Sequence, residues 1–177
     1  ANLIATEAVS ENEDFALKTR VLNISANSTT DLKSTSNQLE QVNINKAGGS
    51  VTISSTNSIN SNALEVNSAE AIQGSLSVTN NADESSYDNA IEVSNALQAT
   101  GNITITNQEA GIVVNEDKSI SANDIVLNAV TDLNVSGYVT AAHNASLTAG
   151  AGLTVAGTVT ATNDASLSSD GSMTISG

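Results

Sequence analysis

The chain has no cysteine, no proline and no tryptophan, and aromatic rings account for only 2% of its 177 residues. Without cysteine it forms no disulfide and offers no thiolate to a metal. With Phe15, Tyr87 and Tyr138 as the sole large rings, it cannot pack an ordinary globular interior, where aromatic side chains supply much of the buried area. Any core is narrow and built from Val, Ile, Leu and Ala, which suits thin stacked layers better than a sphere. Cations are also scarce: Lys18, Arg20, Lys33, Lys46 and Lys118 stand against 19 carboxylates, for a formal net charge of -14. Phosphate backbones and anionic lipid surfaces are held by clustered Lys and Arg, so nucleic acid and anionic membrane are excluded as partners. No apolar run approaches the roughly 20 residues that span a bilayer. No signal peptide is visible at Ala1, so export would be directed by a segment outside this chain.

Ser, Thr, Asn and Asp dominate what is present. Such a composition with so high a charge can signal disorder, but the apolar residues recur too regularly for that. Thr131–Gly150 overlays Ala151–Asp170 without a gap, Leu133 falling on Leu153, Val135 on Val155, Gly137 on Gly157, Val139 on Val159, Ala145 on Ala165 and Leu147 on Leu167. Gly171–Gly177 begins a third copy and stops, so the sequence reads as a segment of a longer protein. Upstream, Asn62–Asn80 overlays Asn89–Asn107 at an offset of 27 residues. A still earlier copy lies 25 residues before that, placing Glu40 over Glu65 and Val51-Thr52-Ile53 over Leu76-Ser77-Val78.

Each copy carries short alternating runs such as Ile103-Thr104-Ile105 and Leu153-Thr154-Val155. Alternation with β-branched residues marks half-buried strands, and the Gly, Asn, Asp and Ser between the runs are turn formers. A period of 20 to 27 residues, all strand and turn, points to a solenoid; a propeller blade needs about 40 residues and aromatic landmarks. The expected fold is all-β, a parallel β-helix (β-solenoid) with coils of about 20 to 27 residues. Roughly eight coils stacked at about 4.8 Å make a rod on the order of 40 Å long.

Residues 21–177 are read as the repeat region. Residues 1–20, which hold the most charge and the only Phe, are set apart as an irregular or capping segment: either a coil with irregular ends or a cover for the first rung. Extra residues in the longer coils must leave the stack as loops. The clearest is residues 81–88, and its Asp83, Glu84, Tyr87 and Asp88 are the candidate recognition residues.

The coils written Gly-x-apolar-Thr/Ser-apolar, then Gly-x-Val-Thr-Ala, then Ala-Ser-Leu, resemble the repeats of filamentous haemagglutinin and related two-partner secretion exoproteins. The match is best over Ala122–Gly177, weaker over Ser36–Asn115 and absent before Val21. Similar coils occur in autotransporter passenger domains and in the stalks of contact-dependent growth inhibition proteins. The resemblance implies a right-handed helix, in line with the general handedness of parallel crossovers. It further implies export through an outer-membrane transporter and display at the bacterial cell surface as an adhesive rod, meeting a receptor or glycan on a host or neighbouring cell. The lack of cysteine is compatible with export. The family's secretion domain carries Asn-Pro motifs, and a chain without proline does not include it.

The other reading is a carbohydrate-binding or carbohydrate-cleaving β-helix of the pectate-lyase kind. Cleavage there needs clustered carboxylates with a basic partner. Lys18 and Arg20 lie outside the repeat and the other lysines are scattered, so no catalytic residue is assigned and an enzyme is not expected. Glu40, Glu65 and Glu92 occupy one place in three successive copies, a column of like charges at about 5 Å steps. Either they point outward and are solvated, or they form a Ca²⁺ ladder; no other cofactor is implied. His143, at a turn and paired in the repeat with Asn163, is given no role. Asn-x-Ser/Thr triplets at Asn23, Asn27, Asn102, Asn134 and Asn144 are frequent by chance in so Asn- and Ser-rich a chain. The recurring Asn80, Asn107 and Asn144 are read as architecture, since Asn tolerates turn conformations and its amides can bond along a stack.

Overall fold

A computed structural model describes residues 1–12, 14–56, 63–81 and 90–177. Every element among them is a strand, 21 in all. The first four coils contribute β1 (Asn2–Ala5) and β2 (Val9–Ser10), β3 (Lys18–Ala26) and β4 (Thr30–Leu32), β5 (Gln38–Ala47) and β6 (Val51–Ser55), β7 (Leu64–Ser68) and β8 (Leu76–Asn80). The next two are three-stranded: β9 (Ile91–Val93), β10 (Leu97–Gln98) and β11 (Ile103–Asn107), then β12 (Ile112–Val114), β13 (Ser119–Ala122) and β14 (Ile125–Ala129). So are β15 (Leu133–Val135), β16 (Tyr138–Ala141) and β17 (Ala145–Ala149), and β18 (Leu153–Val155), β19 (Thr158–Ala161) and β20 (Ala165–Ser169), after which β21 (Met173–Ile175) opens a further rung.

Each strand pairs in parallel with its counterpart one coil away, never with its neighbour in sequence. The result is a nine-stranded sheet β1-β3-β5-β7-β9-β12-β15-β18-β21, an eight-stranded sheet β2-β4-β6-β8-β11-β14-β17-β20 and a four-stranded sheet β10-β13-β16-β19. This is the expected parallel β-solenoid, with about 8 turns. The expected columns are present residue for residue: Leu133, Leu153 and Met173 are register partners, as are Val135, Val155 and Ile175, and Ala145 with Ala165 and Leu147 with Leu167.

Alternation explains why these runs are strands. In β11, Ile103, Ile105 and Asn107 turn inward while Thr104 and Thr106 face out, and both isoleucines are 0% exposed. Burying each such side chain contributes on the order of 1.5–3 kcal/mol, and because like stacks on like, one apolar column runs through consecutive coils. The core is continuous from Leu22 to Val155.

The corners are tight. A Cβ on Gly157 would overlap the carbonyl oxygen of Gly137 one coil below, and a Cβ on Gly137 would overlap the carbonyls of Asn115 and Lys118. Neither glycine has positive φ, so its role is close approach of stacked backbones rather than a left-handed turn. That conformation occurs once outside glycine among the described residues, at Asp117 with φ 58°.

The boundary expected at residue 20 is not a boundary of the fold. β1 pairs with β3 through Asn2 with Asn23 and Leu3 with Ile24, and β2 pairs with β4 through Val9 with Thr30. Residues 1–17 thus carry the first coil, and residues 18–20 already belong to β3 of the second. The first coil's apolar contribution is thin: Leu3, Ala5 and Leu17 pack on the core only in part, and Phe15 lies outside at 62% exposure.

Candidate binding face

The outer face of the nine-stranded sheet, over β3, β5, β7 and β9, gathers the polar side chains that the repeat leaves free to vary. Asn23, Asn43 and Asn67 are outward register partners, following Asn2 below. Their amides bond along the axis: Asn23 Nδ2 donates to Asn2 Oδ1 at 2.8 Å, Asn43 Nδ2 to Asn23 Oδ1 at 2.9 Å and Asn67 Nδ2 to Asn43 Oδ1 at 3.5 Å. Ser94 Oγ ends the series, 3.2 Å from both Asn67 Oδ1 and Glu65 Oε2 and able to give its one proton to either. A stacked amide has both a donor and an acceptor, so it satisfies its neighbour and still presents polar atoms to solvent.

Beside this ladder lie the three glutamates, arranged otherwise than expected. Glu65 is opposite Glu92, but its partner on the other side is Gln41, not Glu40. The true offset between β5 and β7 is 24 residues rather than 25, with Val42 on Val66 and Asn43 on Asn67. Leu39 and Glu40 are both buried, so strict alternation is lost there, and one residue of slip sends a side chain to the other face. The three-carboxylate Ca²⁺ ladder of Glu40, Glu65 and Glu92 is therefore not assembled. Among the described residues no group of three His, Asp or Glu is placed to hold a metal. Each glutamate instead meets a protein donor. Glu40 Oε2 accepts from Arg20 Nε at 2.9 Å, Glu65 Oε2 from Ser94 Oγ at 3.2 Å, and Glu92 Oε1 from Asn115 Nδ2. The Arg20 side chain is 72% exposed and that of Glu40 8%, so the ion pair forms a wall with one buried and one solvated end.

This surface is concave. A hollow of about 350 Å³ is lined by Arg20, Val21, Glu40, Gln41, Ala63 and Glu65. A second, of about 240 Å³, is lined by Gln41, Asn43, Asn45, Asn67, Ser68, Ala69 and Asn95. They meet at Gln41. Beside the second hollow β5 carries an extra residue, Asn45, where its register with β3 shifts, and bulges of this kind bend a strand and re-aim its side chains. Chemically, the face accepts through carboxylates and both donates and accepts through amides.

Other expected residues fall elsewhere. Asp83, Glu84, Tyr87 and Asp88 lie outside the described residues. His143 is exposed at its turn. The Asn stack holds for Asn80 and Asn107, buried at a corner with Asn80 Nδ2 donating to Asn107 Oδ1 at 3.4 Å. Asn107 also caps its own turn, donating to Gly111 O at 2.8 Å and accepting from the backbone N–H groups of Glu109 and Ala110. Asn144 belongs to a different, exposed corner, where its backbone and side-chain nitrogens bind Asp124 Oδ1. Gln41, Asn43 and Asn67 were not foreseen. Their signal was the triplet Leu22-Asn23-Ile24, Val42-Asn43-Ile44, Val66-Asn67, an outward amide between inward apolar residues.

Fold and face together define a parallel β-solenoid with a polar groove on its longest sheet. The chain matches no protein-family model, no curated protein and no solved structure.

Proposed function

We propose that the chain is a structural and adhesive rod segment of a secreted bacterial surface exoprotein, as its resemblance to filamentous haemagglutinin-like repeats implies, and that it carries or presents contacts to a host or neighbouring cell. The observation that carries this reading is the in-register stacking of eight coils on one continuous apolar core. Such a stack resists bending and extends by adding coils, each contacting only its neighbours. The acidic surface supports it too, since a net charge of -14 keeps parallel rods apart in solution.

The test is attachment. Beads coated with the 177-residue chain should adhere to epithelial cells or to neighbouring bacteria above beads coated with an unrelated protein of equal negative charge. Equal adhesion of the two coatings contradicts the reading.

A further inference from the structure

We infer that the groove over β3, β5 and β7 binds an uncharged oligosaccharide chain, with Gln41 at its centre. The inference rests on the adhesive reading and names its ligand class. Three observations carry it.

The first is shape and position: two hollows of about 350 and 240 Å³ meet at Gln41 on a strand-lined face, giving an elongated depression rather than a single pit. The second is hydrogen-bonding character. Sugar hydroxyls donate and accept at once, and so do the amides of Gln41, Asn43 and Asn67, whereas an ammonium only donates and a sulfate only accepts. Because the amides of Asn23, Asn43 and Asn67 recur one coil apart, about 4.8 Å, with Gln41 beside them on β5, the face offers a donor and an acceptor repeatedly, which suits a chain better than a single sugar. The third is charge. Arg20 is already paired with Glu40, and Glu65 and Glu92 stand next to each other in register. The field is negative, and uronate, sialylated or sulfated chains would be repelled at short range. Among the described residues no aromatic ring lines either hollow.

The experiment is binding of the intact chain to an array of neutral glucan, mannan, galactan and chitin oligosaccharides, their uronate and sulfated counterparts, and chitosan fragments. Binding to at least one neutral class in preference to every charged class is expected. Gln41→Ala, at a partly exposed position, should weaken it about tenfold, the loss of one or two hydrogen bonds. Thr148→Ala, on the outer face of β17, should leave it unchanged. Glu65→Gln, which removes one of two adjacent carboxylates, should admit acidic chains that the wild type rejects. Circular dichroism of each variant, together with saturation transfer from bound sugar to the wild-type Gln41 and Asn43 side chains, separates lost binding from lost fold. The inference is overturned if no neutral chain binds, if charged chains are preferred, or if folded Gln41→Ala binds like the wild type. Coated beads that adhere although no neutral chain binds would overturn this inference and leave the adhesive reading standing; glycan binding without bead adhesion would do the reverse.

Discussion

The first three coils and the last three use about the same number of residues to different ends. From β12 onward each coil has three short strands, and the four-stranded sheet stacks Ile120, Val139 and Val159 on its inner side. In the first three coils the nine- and eight-stranded sheets are joined by three residues, Asn27–Thr29 and Gly48–Ser50, and residues saved there lengthen β3 and β5 to 9 and 10. Among the described residues their return corner is closed by polar groups instead of an apolar column. Asn37, 0% exposed, accepts from the Leu17 N–H at 2.6 Å and donates to Glu11 Oε2 at 2.9 Å, which also accepts from the Ser34 N–H. The Asn37 carbonyl accepts from Ser55 Oγ and Thr56 Oγ1. The lesson is that a solenoid tolerates two cross-sections in one stack, the irregular end being closed by side-chain hydrogen bonds where the regular end packs an apolar column. The candidate groove sits where the irregular coils give the sheet its hollow.

Substitutions can break this comparison from either end. The largest effect is expected from Val139→Asp, which puts an unpaired charge into the regular core at a cost of several kcal/mol; chemical denaturation should show loss of cooperative folding. Next, Asn37→Ala should cost about 2–3 kcal/mol by removing one of the two donors to Glu11 Oε2 and leaving the Leu17 N–H without its acceptor. Hydrogen exchange should accelerate in β1–β5 and stay slow in β14–β20, and uniform acceleration would show that the polar corner is not a local device. Gly137→Ala should cost about 2 kcal/mol by forcing apart backbones that touch, visible as a lower midpoint of thermal unfolding. Asn43→Ala, on the outer ladder, should cost less than about 1 kcal/mol because water replaces the lost amide, and a larger loss would move the ladder from surface to scaffold.

The same contrast explains what could be read in advance. Ala122–Gly177 was legible because three-strand coils of near-constant length align without gaps, so Leu133 over Leu153 in sequence is Leu133 over Leu153 in space. Residues 1–20 showed no repeat in sequence because only Leu3, Ala5 and Leu17 among them pack on the core, and those in part, leaving the charged residues to dominate the pattern. Glu40 was stacked on Glu65 because sequence overlay assumes constant offset, whereas the chain drops one residue between β5 and β7 to keep Val42 over Val66. The groove escaped notice for a related reason: it lies over coils whose register shifts, at Asn45 between β3 and β5 and by one residue between β5 and β7, which no repeat template contains. Core columns are dictated by periodicity, while hollows arise where periodicity fails.

The central claim is the register of the stack, and a chain without cysteine allows it to be measured directly with paired spin labels. Thr52, Ser77, Thr104, Val126, Ser146 and Ser166 are successive register partners on the outer face of the eight-stranded sheet. Electron–electron dipolar spectroscopy on Thr52→Cys/Ser166→Cys and Thr104→Cys/Ser166→Cys should give narrow distributions near 24 Å and 14 Å, five and three rungs of about 4.8 Å. Broad distributions, or distances that do not scale with the number of rungs, would contradict the solenoid.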